Sequence, residues 1–420
     1  MKTTAVRLYG KRDLRLETFE LPEIKEDEIF ARVISDSICM SSYKAAEQGA
    51  QHKRVPDDIA ENPVIIGHEF CGEIIKVGAK WAGKYAPQQK FTIQPALNYK
   101  DSLDAPGYSY RYIGGAATNI IIPNEVMEMG CLLPYSGEAF FYGSLAEPMS
   151  CIVGAFNANY HTIQGSYEHK MGIKKGGNMA ILAGAGPMGM GAIDYAIHND
   201  TRPRLLVVTD IDESRLARVA RLLPADEAEK YGVELKYINT EKLENPAAEL
   251  LSLTGGAGFD DVFCFAPVRA VVETADAILG RDGCLNFFAG PVDKNFSAMF
   301  NFYNVHYNST HIVGTSGGNT DDMKKSLSMM ESGRLNPALM ITHIGGLDAV
   351  AETTLNLPKI PGGKKLIYTH VSMPLTAIGD FGKLGETNEI FAKLHEICSR
   401  HNGLWNAEAE KYLLSVKGKE

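Results

Sequence analysis

The chain has 420 residues, 45% of them hydrophobic and 22% charged, enough for two or three domain-sized units and too aliphatic for a disordered protein. A formal net charge of −9, from 51 acidic against 42 basic residues, argues against duplex DNA or an anionic membrane as the main partner. Seven cysteines, an odd number spread over the whole length, argue against a disulfide scaffold.

The stretch from Met1 to Arg7 runs into mixed charge and lacks the apolar core of a secretory signal. No window holds the roughly 18 uninterrupted apolar residues of a membrane span. A cytoplasmic location is expected, with neither membrane nor nucleic acid as partner.

The first third reads as short strands and turns. Leu8–Phe19 and Glu28–Ile34 alternate at period two, Pro63–Gly67 is a short apolar run, and Gly72–Gly78 is a strand bracketed by glycines. Such short segments with frequent turns predict a compact β barrel. From about Leu145 strands alternate with helices. Met179–Ala183, Leu205–Thr209, Val262–Phe265, Leu285–Ala289 and His311–Val313 read as buried strands, and Met188–Ile197, Ser214–Leu223 and Arg269–Leu279 as helices between them. This βαβ alternation predicts a doubly wound parallel sheet. Beyond Gly314 a helix at Asp321–Glu331 and a strand at Leu366–Thr369 follow, then helical stretches at Ile390–Ile397 and Ala407–Val416. The sheet unit is expected to interrupt a discontinuous domain, with boundaries at 1–152, 153–316 and 317–420.

Gly184-Ala185-Gly186-Pro187-Met188-Gly189 stands between a predicted strand and a predicted helix, the context that GxGxxG needs to bind a dinucleotide. The first glycine permits the tight turn, the second lets pyrophosphate approach the backbone, and the third lets helix and strand pack closely. The helix N-terminus offers free N–H groups to the phosphates. About 20 residues on, the next strand ends in Asp210, where an acid binds the ribose hydroxyls and repels a 2′-phosphate. NAD(H) is therefore favoured over NADP(H). Were NADPH preferred, Arg215 would be the residue binding the extra phosphate.

Cys39, His68 and Glu147 have the mixed S, N and O character of a catalytic zinc site, three ligands with a fourth position open. Each alone is ordinary. Glu69, beside His68, is a candidate for a supporting role or for exchange as a ligand. Taken in order, Cys39-x-Ser41, Gly67-His68-Glu69, Glu147-Pro148, the glycine loop and Asp210 resemble the zinc-dependent medium-chain dehydrogenase/reductase family of alcohol and sorbitol dehydrogenases, over about Leu8 to Thr369. The resemblance implies a Rossmann-type sheet inserted in a GroES-like β-barrel catalytic domain, one catalytic zinc, and a homo-oligomer, dimer or tetramer. It also implies that Ser41 hydrogen-bonds the substrate oxygen and begins a proton relay. Relatives usually carry Asp three past the Cys and often His five past it. Here those positions are Ser42 and Lys44, so Lys44 or solvent is left to continue the relay. Phe91–Ile121 holds no Cys, so no structural zinc of the four-Cys kind is expected.

Strings such as Cys39–Lys44, Gln51–Pro56, Asn304–His311 and Trp405–Glu410 look like the L-sorbose-1-phosphate reductase branch of the polyol dehydrogenases, which reduces a ketose phosphate to glucitol 6-phosphate. A sugar phosphate needs concentrated basic donors. His52-Lys53-Arg54, Lys44 and Lys364-Lys365 are the candidates, each also readable as a solvated basic patch. An unphosphorylated-polyol dehydrogenase and a non-catalytic nucleotide-binding protein on the same fold are the competing readings.

Overall fold

The computed structural model describes residues 1–163 and 165–417; the end of the third predicted span, residues 418–420, lies outside them. The chain forms two compact units. One comprises Met1–Glu147, Asn319–Glu331 and Ile341–Glu420, the other Pro148–Gly318 and Ser332–Met340.

The first unit opens with an antiparallel hairpin, Lys2–Gly10 against Asp13–Glu20, where the sequence reads as one continuous strand-like run. The turn residue Arg12 has φ +58, a conformation that composition does not announce. The main sheet runs in the order Thr376–Ala377, Ile341–Gly346, Lys364–Tyr368, Ile29–Ile38, Phe70–Val77, Lys90–Ile93 and Leu132–Pro134. Its organiser is Ile29–Ile38. The first half of this strand pairs with Asn119–Ile122 and its second half with Lys364–Tyr368, while Phe70–Val77 runs along it across two register shifts. Irregularities of this kind bend a strand and raise its twist. One core holds Ile29, Ala31, Val33, Ile74, Phe91, Ile120 and Ile122; another holds Val6, Leu8, Ile38, Ile66, Val350 and Ile367.

Helices Glu389–Arg400 and Ala407–Lys417 belong to this unit. They bury Leu394, Ile397 and Cys398, and Ala409, Glu410 and Leu413, respectively.

The second unit is a six-stranded sheet, parallel throughout, in the order Glu234–Asn239, Leu205–Asp210, Asn178–Leu182, Phe259–Cys264, Leu279–Phe287 and His311–Val313. The chain starts at Asn178–Leu182 and winds first to one side, then to the other, which creates the switch point where such sheets bind nucleotides. Five of the strands match predicted ones in place, but His311–Val313, expected to be buried, is an edge strand with Ile312 exposed. Glu234–Asn239 escapes the pattern because it is an edge strand whose charged and half-exposed side chains dilute the apolar run. The fold is that of a Rossmann sheet with a GroES-like partner unit.

Candidate metal centre and nucleotide loop

Cys39 leaves the end of strand Ile29–Ile38 and caps helix Met40–Gln48 in an extended conformation. His68 and Glu69 lie just before strand Phe70–Val77, after Gly67, whose φ of +92 and contact with the Asp36 carboxylate leave no room for a side chain. The two turns bring Cys39 Sγ, a ring nitrogen of His68 and a Glu69 carboxylate oxygen within 4.8 Å of one another. Ser42 Oγ lies 3.3 Å from His68 Nδ1, so the hydroxyl fixes the ring by the interaction a carboxylate makes at many metal-bound histidines. Nε2 is then the nitrogen left for a metal, and the Tyr108 hydroxyl stands 3.2 Å from it. The Cys39 thiol points at Ser41 Oγ, 3.7 Å away.

Burial dominates the electrostatics. It pushes the Cys39 thiol up to about 12, with Glu69 adding and Lys364 opposing. It also takes His68 down to about 4, so the imidazole is neutral at neutral pH. A buried thiol with no thiolate at neutral pH, a neutral imidazole and a carboxylate form a donor set that a divalent zinc fits, because the cation supplies the charge that makes thiolate affordable there.

Glu147 is the second residue of helix Ala146–Ala158; its charge acts on Cys39, Tyr108 and Lys364 alike. The oxygen in the tight group, however, is that of Glu69. Both Glu69 oxygens accept from Lys364 Nζ, at 2.5 and 2.7 Å, with both side chains buried. Burial opposes the charge on Lys364, but Glu69, with Cys39 and Glu147 adding to it, raises the ammonium's pKa above its ordinary value, so Lys364 stays charged. It reaches this place because strand Lys364–Tyr368 runs antiparallel to Ile29–Ile38 with Lys365 opposite Ile38. Lys365 in turn donates to the carbonyls of Ile360, Pro361 and Gly363. The Lys364-Lys365 pair therefore serves the interior, and the expectation of a phosphate-binding patch there is corrected. Asp36 completes the buried set; burial, then the nearby Glu69, holds its carboxyl well above the usual range.

The other basic candidates gather around one ring. Burial depresses His52, and the charges of Arg54, Lys53 and Lys44 act in the same direction. The His52 ring stacks on Tyr108 at 5.7 Å and 9°, and the Arg54 guanidinium lies 5.9 Å from the same ring while donating to Leu103 O. Tyr108 thus touches the metal group with its hydroxyl, and His52 and Arg54 with its ring. It is set there by Gly107, at φ +81, whose missing Cβ would collide with the Gly67 carbonyl. Sequence reasoning passes over Tyr108 and Asp36, and finds Lys364 only as a phosphate-binding candidate. The aromatic run Tyr108-Ser109-Tyr110-Arg111-Tyr112 after a glycine is the one available signal.

In the second unit the glycine loop has the expected division of labour. A Cβ on Gly184 would meet Ile181 at 2.6 Å, and one on Gly189 would meet Gly184 O at 2.1 Å, whereas Gly186 faces open space. The open glycine caps helix Pro187–His198, which has Pro187 and Met188 in its first turn, so a phosphate has both backbone access and a helix N-terminus. Ala183, just before the loop, is held at φ +56. Asp210 accepts from the N–H groups of Ala185 at 3.1 Å, Ile211 at 2.9 Å and Asp212 at 3.1 Å, and so ties the end of its strand to the loop. Arg215 lies with its Nε 3.4 Å from Asp212 and its side chain about half exposed. His311, at the last strand, is bonded to the carbonyls of Ser309 and Tyr160, a structural arrangement.

A family profile described as Zinc-binding dehydrogenase matches residues 187–332. The chain belongs to this family and is a medium-chain, zinc-binding dehydrogenase. Among its relatives, a mannitol-1-phosphate 5-dehydrogenase of Aliivibrio fischeri is 54% identical, over 98% of this chain and 97% of that protein. An L-sorbose 1-phosphate reductase of Klebsiella pneumoniae is 52% identical over the same shares. A solved zinc-binding dehydrogenase from Sinorhizobium meliloti, bound to NADP, shares the fold with a TM-score of 0.70 at 18% identity, over 88% of this chain and 100% of that one. Among the described residues no helix is long and apolar enough to cross a membrane.

Proposed function

We propose that this dehydrogenase interconverts a ketose phosphate and a polyol phosphate, with L-sorbose 1-phosphate and glucitol 6-phosphate as the pair, using NAD(H). The observation that carries the reading is His52 and Arg54 against the ring of Tyr108, whose hydroxyl lies 3.2 Å from His68 Nε2, with the charges of Lys53 and Lys44 also acting on His52. Arginine and lysine beside an aromatic wall are the donors a phosphate monoester needs. The two phosphate-acting relatives favour the same class. Their substrates differ in one respect that matters here: in sorbose 1-phosphate the carbonyl adjoins the phosphorylated carbon, whereas a mannitol 1-phosphate oxidised at carbon 5 has its reacting centre at the far end.

Cys39 and His68 would hold the zinc, with Glu147 as the third ligand and Glu69, gripped by Lys364, held in support or exchanged into that place. Bound zinc supplies a Lewis acid for the substrate carbonyl, and the nicotinamide supplies the hydride. Ser42 orients His68. Ser41 Oγ holds the substrate oxygen and hands it a proton as the alcohol forms. The proton source behind Ser41 is Tyr108 or, through the basic cluster, Lys44 and solvent. Asp210 accepts from the adenosine ribose hydroxyls, and Gly184, Gly186 and Gly189 admit the pyrophosphate; Arg215 would matter only for a 2′-phosphate.

We also read the protein as a cytoplasmic homo-oligomer. Edge strand His311–Val313 exposes Ile312, and nearby Met299, Phe302, Tyr303 and Tyr307 are exposed as well, an apolar surface that a second copy would cover. The test of the substrate reading is Arg54→Met. It should raise KM for the phosphorylated ketose by about tenfold or more and leave that for an unphosphorylated analogue within about twofold. Equal losses on both would remove the support that the cluster gives.

A further inference from the structure

We propose that Glu410, near the C-terminus, is a positioning residue for the metal centre: one buried carboxylate ties together the three chain segments that present Cys39, Glu147 and Lys364.

Glu410 is 3% exposed, in helix Ala407–Lys417. Its Oε1 accepts the N–H of Phe140 at 2.6 Å, and its Oε2 accepts the N–H of Phe141 at 2.9 Å and the hydroxyl of Tyr368 at 2.8 Å. The Tyr368 hydroxyl accepts in turn from Trp405 Nε1 at 2.7 Å. Tyr368 stands opposite Ser35 in the antiparallel pairing of Lys364–Tyr368 with Ile29–Ile38. The Ser35 hydroxyl is hydrogen-bonded to that of Ser144, the last residue of helix Phe140–Ser144. The circuit therefore closes, from Glu410 to Tyr368, across the strand pair to Ser35, through Ser144 and back along the short helix to the two N–H groups that Glu410 holds.

Each segment in the circuit carries a group of the metal centre a few residues away. Ser35 lies in the strand that leads into Cys39, Ser144 precedes Glu147, and Tyr368 follows Lys364. An apolar side chain at position 410 would dock the helix at a lower desolvation cost, but it would give no directional bonds to hold these segments in register. Thr92 Oγ1 donates to Gly143 O of the same short helix at 2.9 Å.

The inference rests on the zinc reading above. Its test uses the full-length, zinc-loaded protein and follows zinc transfer to a colorimetric chelator well below the unfolding midpoint. Glu410→Gln keeps size and one acceptor but turns an amide N–H₂ toward a backbone donor. It should release zinc about tenfold faster or more, the range that loss of an outer partner costs a metal site. NADH affinity, which belongs to the second unit, should not move. Leu394→Ala, a buried truncation in the neighbouring helix Glu389–Arg400, should lower the unfolding midpoint and leave zinc release unchanged. An unchanged release rate in Glu410→Gln would overturn the inference alone, as would an equal acceleration in Leu394→Ala. A wild-type protein that holds no zinc would overturn the metal reading and this one together.

Discussion

The buried pair of Glu69 and Lys364 gives the sharpest test of the metal centre's construction. Lys364→Met keeps length and apolar contact but removes the ammonium that both Glu69 oxygens accept from, and the Glu69 side chain is 1% exposed. Stranding a buried charge in this way costs about 3–5 kcal/mol, some two to four powers of ten in the unfolding constant. With a urea slope of about 3 kcal/mol/M, the midpoint should fall by about 1 M or more. Both tryptophans, Trp81 and Trp405, lie in the unit that holds the pair, so tryptophan fluorescence follows the unfolding of that unit specifically. A chelator in the buffer removes any contribution from metal binding. Because the Lys364 pKa is raised in the fold, its contribution is complete below the unfolded value of 10.5 and is lost only above that, so the effect should be flat from about pH 6 to pH 9. Adding Glu69→Gln to Lys364→Met should recover most of the loss, since replacing both partners of a buried pair is far milder than removing one. A single-mutant loss below about 1 kcal/mol, the worth of a surface pair, would refute the buried-pair account.

His68 contributes a pH dependence of its own. Its folded pKa of about 4 lies below the unfolded 6.5, so its share of stability is present above about pH 6.5 and is lost as the pH falls toward about 4. The loss is about 3 kcal/mol at its fullest, and acid unfolding curves of His68→Gln should lack it. Asp210→Ser should cut kcat/KM with NADH by about tenfold or more and raise the relative use of NADPH, read by steady-state rates with both cofactors. A wild-type preference for NADPH would contradict that reading of the strand end.

What the sequence reveals divides by range. The glycine loop and Asp210 are legible because strand, turn and helix are contiguous, and the structure keeps them so, down to the open Gly186. Cys39 and His68 are legible as types, and two local turns suffice to bring them together. Lys364 is not, because its partner Glu69 is 295 residues away and only the antiparallel register of Lys364–Tyr368 with Ile29–Ile38 connects them. From sequence the same lysine reads as surface charge. Tyr108 is hidden for a similar reason: an aromatic residue after a glycine has no assigned place until Gly107 packs on Gly67. Glu410 reads as the polar face of a helix until Phe140, Phe141 and Tyr368 surround it. Edge strand Glu234–Asn239 is lost to its exposed charges.

The central claim is that the basic cluster beside the metal group selects a phosphorylated ketose. Steady-state rates of the zinc-loaded protein with NADH on sorbose 1-phosphate, fructose 6-phosphate and unphosphorylated sorbose test it directly. The account predicts kcat/KM for sorbose 1-phosphate at least about 100-fold above that for sorbose, since binding energy from a phosphate that takes no part in the bond changes can be used at the reacting carbon. Equal kcat/KM for the phosphorylated and unphosphorylated sugars would contradict it.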